Sequence, residues 1–129
     1  MNRTVTTIFT MALLASPFVS HAAQPKVGAS VEGGIFLYRE VVEAYWNDWI
    51  GFPVMTKTAA ETHQARVTVV GEGKTAMFIG NLSINCENGK HFWESAGSGS
   101  EFLSNEKQAD EIVPRPVINN AIKLLCKRA

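Results

Sequence analysis

The residues in this chain with the most chemistry to offer are two cysteines, Cys86 and Cys126, and three histidines, of which His63 and His91 fall outside the N-terminal segment. Two cysteines allow a single intramolecular pairing across a sequence separation of 40 residues. Closing such a loop stabilises a domain by roughly 4 kcal/mol through the unfolded state. No CxxC occurs, and the histidine nearest to either cysteine in sequence is His91, so the spacing favours a structural disulfide over a thiol nucleophile or a metal ligand.

Among the titratable groups, His63 stands close to Glu61, and His91 stands beside Trp93 and Glu94, with Glu72, Glu87 and Asp48 elsewhere. Histidine titrates near neutral pH without assistance, which makes His91, Glu94 and His63 the set on which a small periplasmic hydrolase or a metal-handling site would be built. The chain holds no HExxH, GxSxG or SxxK motif and no paired metal-ligand spacing. The sequence therefore assigns no catalytic residue, no metal and no cofactor. Gly71-Glu72-Gly73 lacks the Lys-Ser/Thr tail of a phosphate loop and reads as a turn, and Asn81-Leu82-Ser83 matches a glycosylation sequon in the middle of a strand.

The aromatic residues are a stronger lead. Tyr45, Trp46 and Trp49 cluster in one segment, while Phe92 and Trp93 are neighbours in another. Adjacent residues of a strand face opposite ways, so Phe92 and Trp93 cannot share one core layer. Trp is favoured at interfaces, which selects Trp93, with Trp46, Trp49 and Tyr45, as candidate partner-binding residues.

The elements that must carry these residues follow from composition and patterning. The 129 residues suffice for one domain, and with 46% hydrophobic and 19% charged residues the chain is globular. Residues 1–22 combine Arg3, an apolar run through Leu13 and Leu14, the helix-breaking Pro17 and small residues at Ser20 and Ala22, the pattern of a secretory signal peptide cleaved after Ala22. Its apolar run is shorter than the roughly 20 residues of a membrane span, and no later segment reaches that length. The remaining 107 residues, 23–129, form a single α+β domain with 11 basic against 12 acidic residues. A net charge of −1 excludes the basic surplus with which proteins hold nucleic acid.

Within that domain, residues 23–34 are a loose lead-in. Residues 35–50 place apolar side chains at 38, 41, 42, 45, 46, 49 and 50, a three-and-four spacing that predicts an aromatic-rich N-terminal helix ending at Gly51. A small antiparallel meander of about three strands follows, over 66–70, 74–86 and 90–95. Its turns are at Gly71-Glu72-Gly73 and Asn88-Gly89, with a bend at Gly80. Ser104 caps a short helix to Glu111, and Pro116 opens a C-terminal helix whose stripe of Ile118, Ala121, Ile122 and Leu125 lies on the sheet. Lys127 and Arg128 stand at its negative end.

Two functions from different classes fit. One is an exported, non-catalytic protein of a bacterial-type cell envelope that binds another envelope or secreted protein, as an inhibitor or immunity factor or as an accessory piece of a surface or secretion assembly. The other is the small hydrolase or metal handler on His91, Glu94 and His63. Either is periplasmic or secreted. Export is checked by intact-mass analysis: the exported species is expected to begin at Ala23 or Gln24, and one that still begins at Met1 refutes the assignment of residues 1–22.

Overall fold

Side chains of Ile, Val, Phe, Tyr and Trp make up nine of the sixteen residues from 35 to 50, and in a computed structural model of the chain this segment is extended rather than helical. The structure describes residues 23–54, 63–98, 101–102 and 106–126. Strands β1 (Ser30–Val31), β2 (Gly34–Val42), β3 (Tyr45–Pro53), β4 (Gln64–Gly73), β5 (Met77–Asn85), β6 (Lys90–Ser98) and β7 (Glu101–Phe102) are followed by helices α1 (Glu106–Ile112) and α2 (Arg115–Leu125). The strands form one antiparallel sheet in the order β1-β2-β3-β4-β5-β6-β7, a pure meander.

The expected three-strand meander with an N-terminal helix is thus corrected to a seven-stranded sheet with two short C-terminal helices. The sequence 35–50 supplies β2 and β3, joined at Glu43 and Ala44, where Val42 pairs with Tyr45 and Glu43 takes a positive φ of 55°. That turn carries no glycine or asparagine at its left-handed position, so the usual hairpin signal is missing. The apolar spacing of three and four arises because each strand contributes side chains to both faces of the sheet.

Register sorts the strand residues into two faces. On the inner face, Trp49 pairs with Gly71, Gly71 with Phe78, Val69 with Gly80, Val67 with Leu82 and Leu82 with Trp93. Three aromatic rings meet there: Phe78 lies 5.6 Å from Trp49 and 5.4 Å from Trp93, the latter pair edge to face. Glycine makes this possible. A Cβ on Gly71 would stand 2.5 Å from the Trp49 ring, and one on Gly80 would stand 2.9 Å from both Phe78 and Trp93. Gly80 is therefore a floor for two rings. The sheet irregularity lies one step further on, between Asn81 and Leu82, where Glu94 of β6 is the extra residue.

The two helices close this face. Val117, Ile118 and Ala121 of α2 and Ala109 of α1 are buried with Leu37, Trp49, Val67, Val69, Phe78, Leu82, Ile84 and Trp93 in one core. Ile122 and Leu125 of the expected helix stripe pack partly against it. Leu37 is the extra residue of a second bulge, between Phe36 and Tyr38, and Asn120 Nδ2 donates to the carbonyl of Leu37 at 2.7 Å. A bulge frees a backbone acceptor from the ladder, and α2 supplies the donor. At the other end of α2, Cys126 is joined to Cys86, just beyond β5, with Cα atoms 5.4 Å apart. The disulfide and the C-terminal helix on the sheet were both legible in the sequence.

The Asn88-Gly89 turn is present, with Gly89 at φ +76°, although it spans residues 86–89 rather than two. The β4–β5 turn falls at Lys74, Thr75 and Ala76, three residues later than Gly71-Glu72-Gly73 implied, because β4 runs on to Gly73. The signal-peptide assignment of 1–22, the Ser104 cap, Glu61, and Lys127 and Arg128 lie outside the described residues. Replacing Gly71 by Ala is expected to destabilise the chain by roughly 1–3 kcal/mol in urea unfolding, the cost of forcing a group into a packed core. An unchanged midpoint would show that Trp49 is not held against β4.

Candidate functional site

Of the groups with chemical potential, most are already engaged. His91 and Trp93 project from β6 to the inner face, where His91 Nε2 and Trp93 Nε1 both lie 2.9 Å from Oδ1 of Asp110 on α1. Glu94 is the bulged residue on the outer side and accepts from Arg66 Nη2 at 2.6 Å. His63, exposed and at a positive φ of 59°, lends its backbone carbonyl to the Cys86 amide. The structure therefore separates His91, Glu94 and His63 instead of gathering them. Among the described residues no three His, Cys, Asp or Glu side chains stand together as metal ligands would.

Three polar groups that the sequence did not single out organise the inner face. Glu40 Oε1 accepts from Trp49 Nε1 at 3.3 Å and from Asn47 Nδ2 at 3.1 Å. Asn47, 2% exposed, also reaches Thr75, whose hydroxyl is 2.7 Å from its Nδ2 and whose amide donates to its Oδ1 at 3.2 Å. Asn47 thus ties the β4–β5 turn to β3, and Gly73 leaves room for it, since a Cβ there would stand 2.3 Å from its oxygen. Each buried indole hands its N–H to a carboxylate, Trp49 to Glu40 and Trp93 to Asp110. A buried Trp needs such an acceptor, and this is the sequence signal that could have led to both acids.

The candidate partner-binding residues divide accordingly. Trp93 is 5% exposed and Trp49 1% exposed, so both belong to the core, and the expectation that Trp93 is the outward member of its pair is corrected: Phe92 is, at 49% exposure. The reason lies in register. Trp93 pairs with Leu82, on the face the helices cover, and Phe92 pairs with Ser83 on the other. Trp46 and Tyr45 do stand at the surface.

The outer face is accessible over much of its extent. Register puts Val41 beside Trp46, Glu72 between Asp48 and Met77, and Val70 between Ile50 and Ile79. Val41, Met77 and Ile79 are each more than half exposed, an unusual number of large apolar side chains on one sheet face, whereas Phe36 and Ile50 on the same face are buried. Polar groups frame these residues. The Arg39 guanidinium lies over the Trp46 ring at 4.6 Å and forms a two-pronged pair with Asp48 at 2.7 and 3.0 Å. The hydrogen bond to Asp48 raises the Arg39 pKa above its ordinary value, against a smaller opposing effect of burial. Tyr45, which alternation places with Asn47 and Trp49 on the other face, has Lys74 4.9 Å from its ring. Further along, Thr68, Asn81 and Ser95 form a hydrogen-bonded row across β4, β5 and β6 at 2.8 and 3.0 Å. Both ends of the Asn81 amide, the acceptor of the sequon, are engaged in that row.

Arg39, held by Asp48, thus lies against the exposed Trp46 ring. Comparison with family models, curated proteins and solved structures finds no match for this chain. Trp93→Ala is expected to destabilise the chain by about 3–5 kcal/mol, and Trp46→Ala by less than about 1 kcal/mol, in paired denaturant titrations. Equal losses would contradict the division of the aromatics between core and surface.

Proposed function

We propose that this is an exported, non-catalytic protein of the cell envelope that works by binding another envelope or secreted protein, in the manner of an inhibitor, an immunity factor or an accessory piece of a surface assembly. The observation that carries the reading is the outer sheet face, where Trp46, Val41, Met77 and Ile79 stand exposed and which also carries the Arg39–Asp48 ion pair. Apolar anchors within a polar frame are the usual anatomy of a protein interface.

The rest of the molecule supports it. The disulfide between Cys86 and Cys126 is the kind of cross-link that persists in an oxidising compartment, outside the cytoplasm. Among the described residues no helix is long and apolar enough to cross a membrane. The groups that would serve a hydrolase or metal site, His91 and Glu94, are bound to Asp110 and Arg66 on opposite sides of β6.

The test is capture from envelope extract with the oxidised chain immobilised, followed by titration of the recovered protein against variants. Trp46→Ala and Ile79→Ala are each expected to weaken its binding by roughly 30-fold, the loss typical of a hot-spot residue, with unfolding midpoints preserved. Variants that fold and bind the recovered protein as tightly as the parent would overturn the proposal, as would an oxidised chain that retains nothing.

A further inference from the structure

The two long edges of the sheet are finished differently. Along β2, β1 covers Gly34 and Ile35, the lead-in exchanges hydrogen bonds with Phe36 through Gly28 and Ala29, and Asn120 takes the carbonyl of Leu37. Along β6, β7 pairs only with Gly97 and Ser98, so residues 90–96, with β5 on one side, have no strand on the other side among the described residues. An open edge presents backbone donors and acceptors that only another extended segment satisfies along its length. Helix α1 holds the inner side of this strand through Asp110, which leaves Lys90, Phe92 and Glu94 on the outer side.

Those three residues are self-complementary. If β6 meets the β6 of a second copy antiparallel, with the two-fold axis at Phe92, then Phe92 faces Phe92 of that copy, and Lys90 faces Glu94 at both ends of the ladder. Opposite charges and paired aromatics at directly facing positions are the arrangements that stabilise antiparallel pairs, and a two-fold axis makes each favourable contact occur twice. Phe92 is about half exposed and Lys90 is exposed, while Glu94 is exposed and accepts from Arg66, so in this register Glu94 would lie between Arg66 of its own chain and Lys90 of the second copy. The bulge at Glu94 marks the end of the regular edge, which limits the ladder to residues 90–94.

We propose that the occupant of the β6 edge is a second copy of this chain, joined through residues 90–94 in this register to give a continuous two-fold sheet. One strand pair is a small interface, so the expected association is weak, with a Kd between roughly 10 µM and 1 mM.

The test uses the oxidised chain in sedimentation equilibrium, where a monomer–dimer equilibrium in that range is expected. Phe92→Cys places a cysteine opposite itself and is expected to give a disulfide-linked dimer in air, whereas Met77→Cys, exposed on the same face but away from the axis, is not. Lys90→Glu and Glu94→Lys should each weaken association about tenfold, because each sets like charges opposite one another, and the double exchange should restore it. Trp46→Ala should leave association unchanged, which separates this result from that of partner capture. A chain that stays monomeric to roughly 1 mM, a Phe92→Cys variant that cross-links no faster than Met77→Cys, or a double exchange as weak as the single ones would overturn the proposal. The last outcome would mean that Glu94 serves only Arg66 of its own chain.

Discussion

The described part of this molecule is arranged around three aromatic rings laid across one face of a sheet. Trp49, Phe78 and Trp93 come from β3, β5 and β6, and they fit only because Gly71 and Gly80 present bare backbone beneath them. Their bulk fixes which face is core, and the two indole N–H groups then require acceptors. Glu40 and Asp110 meet that need, and Asp110 in doing so sets the position of α1 against β6. Helix α2 continues across the same face, held by Asn120 on the Leu37 bulge at one point and by the disulfide at its end. A sheet with one strongly apolar face is not stable in isolation, and here both the covering and its fastening come from the C-terminal segment.

The proposed binding role rests on what this arrangement uses up. The histidine and carboxylates with the greatest chemical reach, His91, Asp110 and Glu40, serve as partners to the core aromatics or to the groups that fix them. Among the described residues, the exposed part of the outer sheet face and the edge of β6 remain for molecular recognition. There large apolar side chains stand exposed, with two ion pairs among them, Arg39 with Asp48 and Arg66 with Glu94. Charges neutralised in place lose less on desolvation than free ones, and side chains held by such pairs lose less freedom on binding.

The three strands between Arg66 and Ser95 were legible in the sequence because β-branched runs, alternation at Leu82, Ile84 and Cys86, and the Asn88-Gly89 turn all point the same way, whereas β7 was not legible there. The C-terminal helix was legible from Pro116 and its apolar stripe, and the disulfide from cysteine count alone. Residues 35–50 misled because their turn uses Glu43 and Ala44, and because an apolar spacing of three and four arises as readily from a hairpin with both faces partly buried as from a helix. The β-branched and aromatic content of that segment was the better guide. For Phe92 and Trp93 the pleat correctly demanded opposite faces. It could not say which face the helices would cover, since that depends on pairing between Trp93 and Leu82 across the hairpin. Glu40, Asn47 and Asp110 went unnoticed because their roles are acts of hydrogen bonding to partners that only the folded register brings near.

The division of the aromatics between core and surface is the claim on which both the fold and the binding reading stand, and indole hydrogen exchange followed by NMR measures it directly. The chain has three tryptophans. The account predicts that two indole N–H signals, those of Trp49 and Trp93, exchange only on the timescale of global unfolding, while that of Trp46 exchanges at the rate of an exposed group. Rapid exchange at Trp93 or Trp49, comparable to that of Trp46, would contradict it.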